Sequence, residues 1–126
     1  MNQGKKILIV DDEQSVQNLL EKVFLHKGFK VYCAGNSLQG IDICKKENPD
    51  VIILDLSVSG FELMRELRKT ERGMLLPVII LTNMTINDEI LYDIHFYKPS
   101  YCLMKSECST EVLLQKVYDV LQIAIE

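Results

Sequence analysis

The sequence predicts an α/β protein in which a parallel sheet of five strands carries helices on both faces. Short apolar runs alternate with longer amphipathic segments along the 126 residues, which is the pattern of repeated strand–helix units. Three of the runs, at 6–10, 51–55 and 77–82, are apolar almost throughout, as expected of central parallel strands that are covered on both faces. By length the chain is one domain, covering residues 1–126.

The five predicted strands are short and differ in pattern. KILIV, VIILD and PVIILT are apolar almost without interruption, whereas apolar and polar residues alternate in FKVYCA. YCLM is a short final run. A proline is tolerated at the start of the fourth strand. The strands cover residues 6–10, 29–34, 51–55, 77–82 and 101–104.

The five predicted helices carry apolar residues at three- and four-residue spacing. Gly28 suits the end of the first helix. Asn36 or Ser37 can cap the second, and Pro49 stops it. The helices cover residues 15–28, 38–48, 61–73, 86–97 and 109–125.

Composition and charge give no support to several classes of function, although they do not exclude a local basic patch. The net charge of −4 gives no support to binding of nucleic acid or of a membrane surface through bulk charge. The four cysteines lack C-x-x-C spacing, which favours free thiols over a disulfide or metal framework. No apolar stretch approaches the roughly 18 residues of a membrane span, and no signal peptide is evident. We therefore expect a cytoplasmic protein, or one domain of a longer one.

The predicted strands end in reactive polar residues. The first strand leads into Asp11 and Asp12, the third into Asp55, the fourth ends at Thr82 and the fifth leads into Lys105. In sheets of this class, ligands bind at the carboxyl ends of the strands. We therefore expect these side chains to share one site.

Three carboxylates at neighbouring strand ends would repel one another unless a cation were present. An all-oxygen ligand set suits Mg²⁺, which also coordinates phosphate oxygens. A carboxylate beside such a metal can act as a nucleophile toward phosphorus. Asp55 is therefore a candidate phosphoryl acceptor, with Lys105 and the Thr82 hydroxyl as partners of the added phosphoryl oxygens.

At these residues the chain resembles the receiver domain of two-component response regulators, from ILIVDDE to the last helix. The resemblance implies a flavodoxin-like, doubly wound sheet of strand order 2-1-3-4-5. It also implies that Asp55 is the phosphoacceptor and that Asp11, Asp12, Asp55 and the backbone carbonyl of Ser57 bind Mg²⁺ or Mn²⁺. Thr82 would be the switch hydroxyl and Lys105 the phosphoryl-binding lysine.

The resemblance also implies partners. The phosphoryl donor would be a sensor histidine kinase or a phosphotransfer protein, and the output a downstream effector domain or protein. It allows a homodimer through the fourth predicted helix, the last strand and the fifth predicted helix. The resemblance implies that the protein is not an enzyme, since it would catalyse at most its own phosphorylation and dephosphorylation. It also implies that this domain binds neither nucleic acid directly nor a membrane.

Several residues depart from the family pattern. The loop DLSVSG lacks the usual proline and reaches Gly60 roughly three residues early, which should move the start of the third helix. Asn83 follows Thr82 where a small residue is usual, and should narrow phosphate access. The position of the switch aromatic, three residues before the lysine, is Cys102. Tyr101 precedes it, so its side chain would point to the opposite face unless the strand has a one-residue bulge.

Lys98 is an alternative to Lys105, because it precedes a proline as the family's lysine does. Choosing Lys98 would shorten the fourth helix by more than a turn and leave YCLM without a role. Lys105 directly follows that run and has a long helix after it. We therefore favour Lys105.

Two rival functions remain open. A degenerate receiver-like module could bind a partner without phosphorylation, consistent with the altered loop, Asn83 and Cys102. A metal-dependent hydrolase with an aspartyl nucleophile would be expected to carry a second Asp two residues after the first, and that position is Ser57.

Overall fold

The computed structural model describes residues 4–58 and 61–123 and shows three layers, a five-stranded parallel sheet between two layers of helices. The strand order is β2-β1-β3-β4-β5. This confirms the fold class and the strand order that the resemblance implied. The strands are β1 Lys6–Val10, β2 Lys30–Ala34, β3 Val51–Leu54, β4 Val78–Thr82 and β5 Tyr101–Met104.

The helices agree with the sequence pattern except at one place. Six α-helices are present in the described residues, together with a 3-10 turn at Lys105–Glu107. The helices are α1 Gln14–His26, α2 Ser37–Glu47, α3 Glu62–Leu67, α4 Glu71–Leu75, α5 Asp88–Tyr97 and α6 Thr110–Leu121.

The prediction of one continuous helix over 61–73 was wrong. The Thr70 side chain accepts a hydrogen bond from the Gly73 amide at 2.9 Å and starts a new helix, α4. The α3 and α4 backbones approach so closely that a Cβ on Gly73 would lie 1.8 Å from the Leu67 carbonyl oxygen. The break therefore depends on a residue without a side chain at position 73.

Helix caps explain most of the other boundaries. The Asn36 side chain caps α2, which confirms one of the two predicted caps, and the Asn87 and Ser109 side chains cap α5 and α6. Lys98 ends α5 in the left-handed conformation, with φ at 55°. Lys98, the residue before Pro99, therefore terminates a helix.

The sheet has a hydrophobic cluster on each face because successive residues of a strand point to opposite sides. Leu8, Ile52 and Ile80 belong to the cluster that packs with α2, α3 and α5. Ile7 and Ile53 belong to the other cluster, which packs with α1 and α6. Helical spacing does not bury every apolar residue: Leu19 of α1 and Leu38 of α2 are 54% and 68% exposed.

All four cysteines are free thiols in the structure. Within the described ranges, none of the helices is long and apolar enough to cross a bilayer. The shortened loop after Asp55 is described only as far as Val58, so the expectation about Gly60 lies outside the described residues.

Candidate functional site

The site is built by the carboxyl ends of β1 and β3, which lie side by side at the centre of the sheet. The Asp55 amide donates to the Val10 carbonyl at 2.9 Å and so extends the ladder by one residue past β3. The Asp11 amide does the same toward Ala34 of β2, at 3.0 Å. Asp11 and Asp55 are both buried, being only 3% and 4% exposed, whereas Asp12 is exposed.

Asp55 is contacted from three directions. Its Oδ1 accepts hydrogen bonds from the Thr82 hydroxyl at 2.7 Å and from the Ser57 amide at 3.1 Å. Its Oδ2 accepts from the Lys105 ammonium at 2.8 Å. These donors come from β4, from the loop after β3 and from the segment after β5, so that with Asp11 after β1 the site joins four strand ends.

The Lys105 ammonium forms ion pairs with several carboxylates. Its Nζ lies 2.7 Å from Asp11 Oδ2 and 2.8 Å from Asp55 Oδ2, with Glu13 Oε2 at 3.7 Å. Only 12% of its side chain is exposed. Lys98, the alternative lysine, caps α5 instead, and the structure gives it no contact with the acidic residues.

These contacts determine the ionisation of Asp11, Asp55 and Lys105. Burial raises the pKa of Asp55, but hydrogen bonds from Lys105, Thr82 and Ser57 outweigh burial, and the net pKa is lowered. Burial raises the pKa of Asp11 despite its contact with Lys105. The two carboxylates outweigh the burial of Lys105 and raise the pKa of its ammonium. Asp55 is therefore ionised and Lys105 charged at neutral pH.

A metal ion fits the donor set. One carboxylate oxygen from each of Asp11, Asp12 and Asp55 can be chosen so that the three atoms lie within 4.8 Å of one another. Ligands of one Mg²⁺ are separated by at most about 4.2 Å, so small side-chain movements suffice to bring all three onto one ion. The exposure of Asp12 leaves a path for entry from solvent.

The sequence did not predict some of the contacts that shape the site. The Gln17 side-chain amide donates to the Asp11 carbonyl at 2.6 Å and to the Ala34 carbonyl at 3.3 Å. Asn83, which the sequence predicts to narrow phosphate access, is exposed, and its side-chain oxygen accepts a hydrogen bond from the Ser106 amide at 3.1 Å. This bond ties the loop after β4 to the segment after β5. A single Gln within a helix, or an Asn after a strand, carries no signal of such contacts.

Tyr101 lies on the α6 side of the sheet. It packs with the hydrophobic cluster of α1 and α6, and its hydroxyl donates to Asp119 of α6. The Lys116 ammonium lies 4.6 Å from its ring centroid. β5 pairs with β4 in continuous register and no bulge displaces Tyr101, so its neighbour Cys102 is the exposed residue of this pair.

Comparisons with known proteins agree with this geometry. Residues 7–118 match the family model of the response regulator receiver domain. Sporulation initiation phosphotransferase F of Bacillus subtilis is 37% identical over 82 residues, a match that covers 63% of this chain and 64% of that protein.

Solved structures are also similar. The chemotaxis response regulator CheY4 of Vibrio cholerae is 25% identical, with a TM-score of 0.81, covering 92% of this chain and 98% of that one. A CheY-like receiver domain protein from Methanospirillum hungatei is 21% identical, with a TM-score of 0.84 and 94% coverage of each chain, and shows likeness of fold. The fold, the acidic cluster at its strand ends and the match over most of its length show that this chain belongs to the response regulator receiver domains, the signalling switches of two-component systems.

Proposed function

We propose that this chain is a phosphorylation-activated switch that accepts a phosphoryl group on Asp55 in a reaction dependent on Mg²⁺ or Mn²⁺. The observation that carries the proposal is the position of Asp55, a buried and ionised carboxylate held by Thr82, Lys105 and Ser57 beside two further acids. The name of the relative from Bacillus subtilis, a phosphotransferase, supports the same chemistry.

The transfer is a nucleophilic displacement at phosphorus. An Asp55 carboxylate oxygen attacks the phosphorus of a phosphohistidine, a new O–P bond forms, and the N–P bond breaks with its electron pair on the imidazole nitrogen. The donor would be a sensor histidine kinase or a phosphotransfer protein. The product is a mixed anhydride on Asp55, which water later hydrolyses. The protein would therefore catalyse only its own phosphorylation and dephosphorylation.

The residues around Asp55 have separate roles in this proposal. Asp11, Asp12, Asp55 and the Ser57 carbonyl would hold the divalent cation, which when bound offsets the charge of the phosphoryl oxygens. Lys105 already contacts Asp55 Oδ2 and is placed to pair with a transferred phosphoryl oxygen. The Thr82 hydroxyl, now 2.7 Å from Asp55 Oδ1, would donate to another.

Intact-mass spectrometry with a small acyl-phosphate donor and Mg²⁺ tests this proposal. We expect the wild-type protein to gain one phosphoryl group, and both chelation of the metal and Asp55→Asn to abolish the gain. Asp50→Asn is a matched control, because Asp50 lies at the opposite end of β3. A gain that persists in Asp55→Asn would place the modification elsewhere.

A second candidate function is a receiver-like module that binds its partner without phosphorylation. The position of Tyr101 favours it, because the hydrogen bond to Asp119 and the contact with Lys116 hold this ring on the α6 side. Titration with Mg²⁺ followed by amide chemical shifts separates the two functions. Shifts at Asp11, Asp12 and Asp55 support the switch, and a silent site supports the constitutive module.

A further inference from the structure

A groove with exposed apolar residues lies at the end of the molecule opposite the acidic site. It runs between the C-terminal end of α2 and the broken α3–α4 segment, beside the residues that precede β3 and β4. Two adjoining cavities of about 210 Å³ and about 200 Å³ form it, and Arg72 borders both. The acidic site uses none of these residues.

The floor of the first cavity is apolar and its size is that of one side chain. Ile41, Cys44, Leu67 and Leu76 contribute to its lining. A cavity of about 150 Å³ can hold a benzene molecule, whereas pockets for drug-sized ligands begin near 300 Å³. A volume of about 210 Å³ therefore suits one bulky apolar side chain, such as Leu or Phe.

The apolar surface extends beyond the cavity. Leu75 of α4 lines the second cavity and is 85% exposed, although it is a large apolar residue. A small molecule seated in the first cavity would leave this side chain in water, whereas a polypeptide crossing the groove would cover it.

Hydrogen bonds hold the Arg72 side chain in place but use only one of its three nitrogens. Its Nη2 donates to the Asn48 carbonyl at 3.1 Å and to the Pro49 carbonyl at 3.4 Å. Within residues 4–58 and 61–123, its Nε and Nη1 make no hydrogen bond. A guanidinium anchored through one nitrogen keeps N–H groups on Nε and Nη1, and either of them can donate to a carboxylate at little further entropic cost.

The charges around the first cavity favour an acidic partner. Lys45 and Arg72 line it, and its one lining carboxylate, Glu66, is already paired with Lys69 at 3.0 Å. Asp50 lines the second cavity, and its Oδ2 accepts a hydrogen bond from the Lys6 amide at 2.8 Å. The first cavity is therefore a locally basic position on a protein of net charge −4.

From these observations we propose that the groove between α2 and α3–α4 is a docking surface for a partner polypeptide that inserts a bulky apolar side chain into the first cavity and pairs an adjacent carboxylate with Arg72. This surface is separate from the proposed phosphorylation of Asp55, and either proposal can fail without the other.

The test selects ligands from a displayed library of random twelve-residue peptides on the immobilised wild-type protein. We expect enriched peptides to share a Leu, Phe or Met next to an Asp or Glu. We expect Arg72→Gln and Leu75→Ser each to weaken their binding at least tenfold. Lys22→Gln and Leu25→Ser, which also remove a cation and an exposed apolar side chain but lie on α1, should leave binding within twofold.

Three outcomes would overturn the proposal. The first is a selection that enriches no common sequence. The second is a set of peptides that bind the groove variants as well as the wild type. The third is binding of phenylacetate at the groove as tightly as the best peptide, which would make the cavity a site for small carboxylates.

Discussion

At the scale of single residues, the site balances negative charge with one ammonium group. Lys105 contacts Asp11 and Asp55 at 2.7 and 2.8 Å, and both carboxylates are buried. Removing one partner from a buried ion pair costs more than the pair contributes, because the remaining charges lose solvation without compensation.

Lys105→Met should therefore lower the free energy of unfolding by about 3 kcal/mol in the absence of divalent cations. Millimolar Mg²⁺ should restore part of this loss, since a bound cation replaces the missing positive charge. Urea denaturation with and without Mg²⁺ measures both effects. Lys46→Met, at an exposed position of α2, is the control and should change stability by less than about 0.5 kcal/mol. Equal effects of the two substitutions would contradict the charge balance described here.

Burial also lowers the reactivity of two cysteine thiols. It raises the pKa of the Cys33 and Cys44 thiols to about 11 each, with Glu21 contributing to the shift at Cys33. A thiol reacts as its thiolate, and an unfolded cysteine has a pKa of about 8.5. Both native thiols should thus resist iodoacetamide at pH 8, react as the pH approaches 11, and react at pH 8 once the chain is unfolded. Peptide mapping tests this, with Cys102 as the comparison, because its side chain is exposed although burial raises the pKa of its thiol too. Equal labelling of native Cys44 and Cys102 at pH 8 would refute the expectation.

The main site contacts could be predicted from the sequence because they depend on topology. Residues that follow adjacent parallel strands must meet at one edge of the sheet, so Asp11, Asp55 and Thr82 could be brought together without coordinates. The contacts of Gln17 and Asn83 depend on how a helix and a loop are oriented above that edge. No residue pattern encodes that orientation.

At the scale of elements, the break between α3 and α4 is the main difference from the predicted architecture. FELMRELRKTERG has helical spacing and good helix formers, so local propensity favours one helix. The break is stabilised by the local Thr70 cap and by the Arg68 guanidinium, which donates to the carbonyls of Gly73 and Leu76 and, across to the end of α5, to those of Tyr97 and Lys98. Propensity along the chain does not include such contacts.

Gly73→Ala distinguishes the two architectures by the sign of its effect. In a continuous helix the alanine would stabilise the protein by about 1 kcal/mol. In the broken segment its Cβ would lie 1.8 Å from the Leu67 carbonyl oxygen, so we expect a loss of about 2 kcal/mol. Gly35→Ala is the control, because its nearest neighbour would be 3.7 Å away. Thermal unfolding of both variants measures the difference, and a stabilised Gly73→Ala protein would show that the helix is continuous.

Arg68 also connects the α3–α4 break to α5, a helix with no fully buried residue. Its contacts with the Tyr97 and Lys98 carbonyls, at 3.0 and 3.3 Å, anchor the C-terminal end of that helix. Arg68→Lys keeps the charge but loses the fork of donors. Hydrogen exchange of the α5 amides should accelerate about tenfold, as expected for the loss of one charged hydrogen bond. Arg65→Lys, on the exposed face of α3, should leave these rates unchanged, and an unchanged rate in Arg68→Lys would rule out the anchor.

At the scale of the whole molecule, the alternation of strands and helices predicted the sheet and its two layers of helices. Periodicity alone did not predict the strand order, because parallel strands with the same apolar pattern can be arranged in several ways. The order came from the resemblance carried by the residues at the strand ends, and the structure confirms it. The polar residues at the strand ends were thus more informative about topology than the apolar core.

The central claim is that carboxylates from two separate strand ends gather around one divalent cation and make Asp55 able to bind a phosphoryl group. A crystal structure determined with Mg²⁺ and beryllofluoride, which mimics that group, tests the claim most directly. We predict beryllofluoride on an Asp55 oxygen within hydrogen-bonding distance of Thr82 and Lys105, and Mg²⁺ on Asp11, Asp12, Asp55 and the Ser57 carbonyl. Side chains of Asp11, Asp12 and Asp55 that point apart, with neither ion bound, would contradict it.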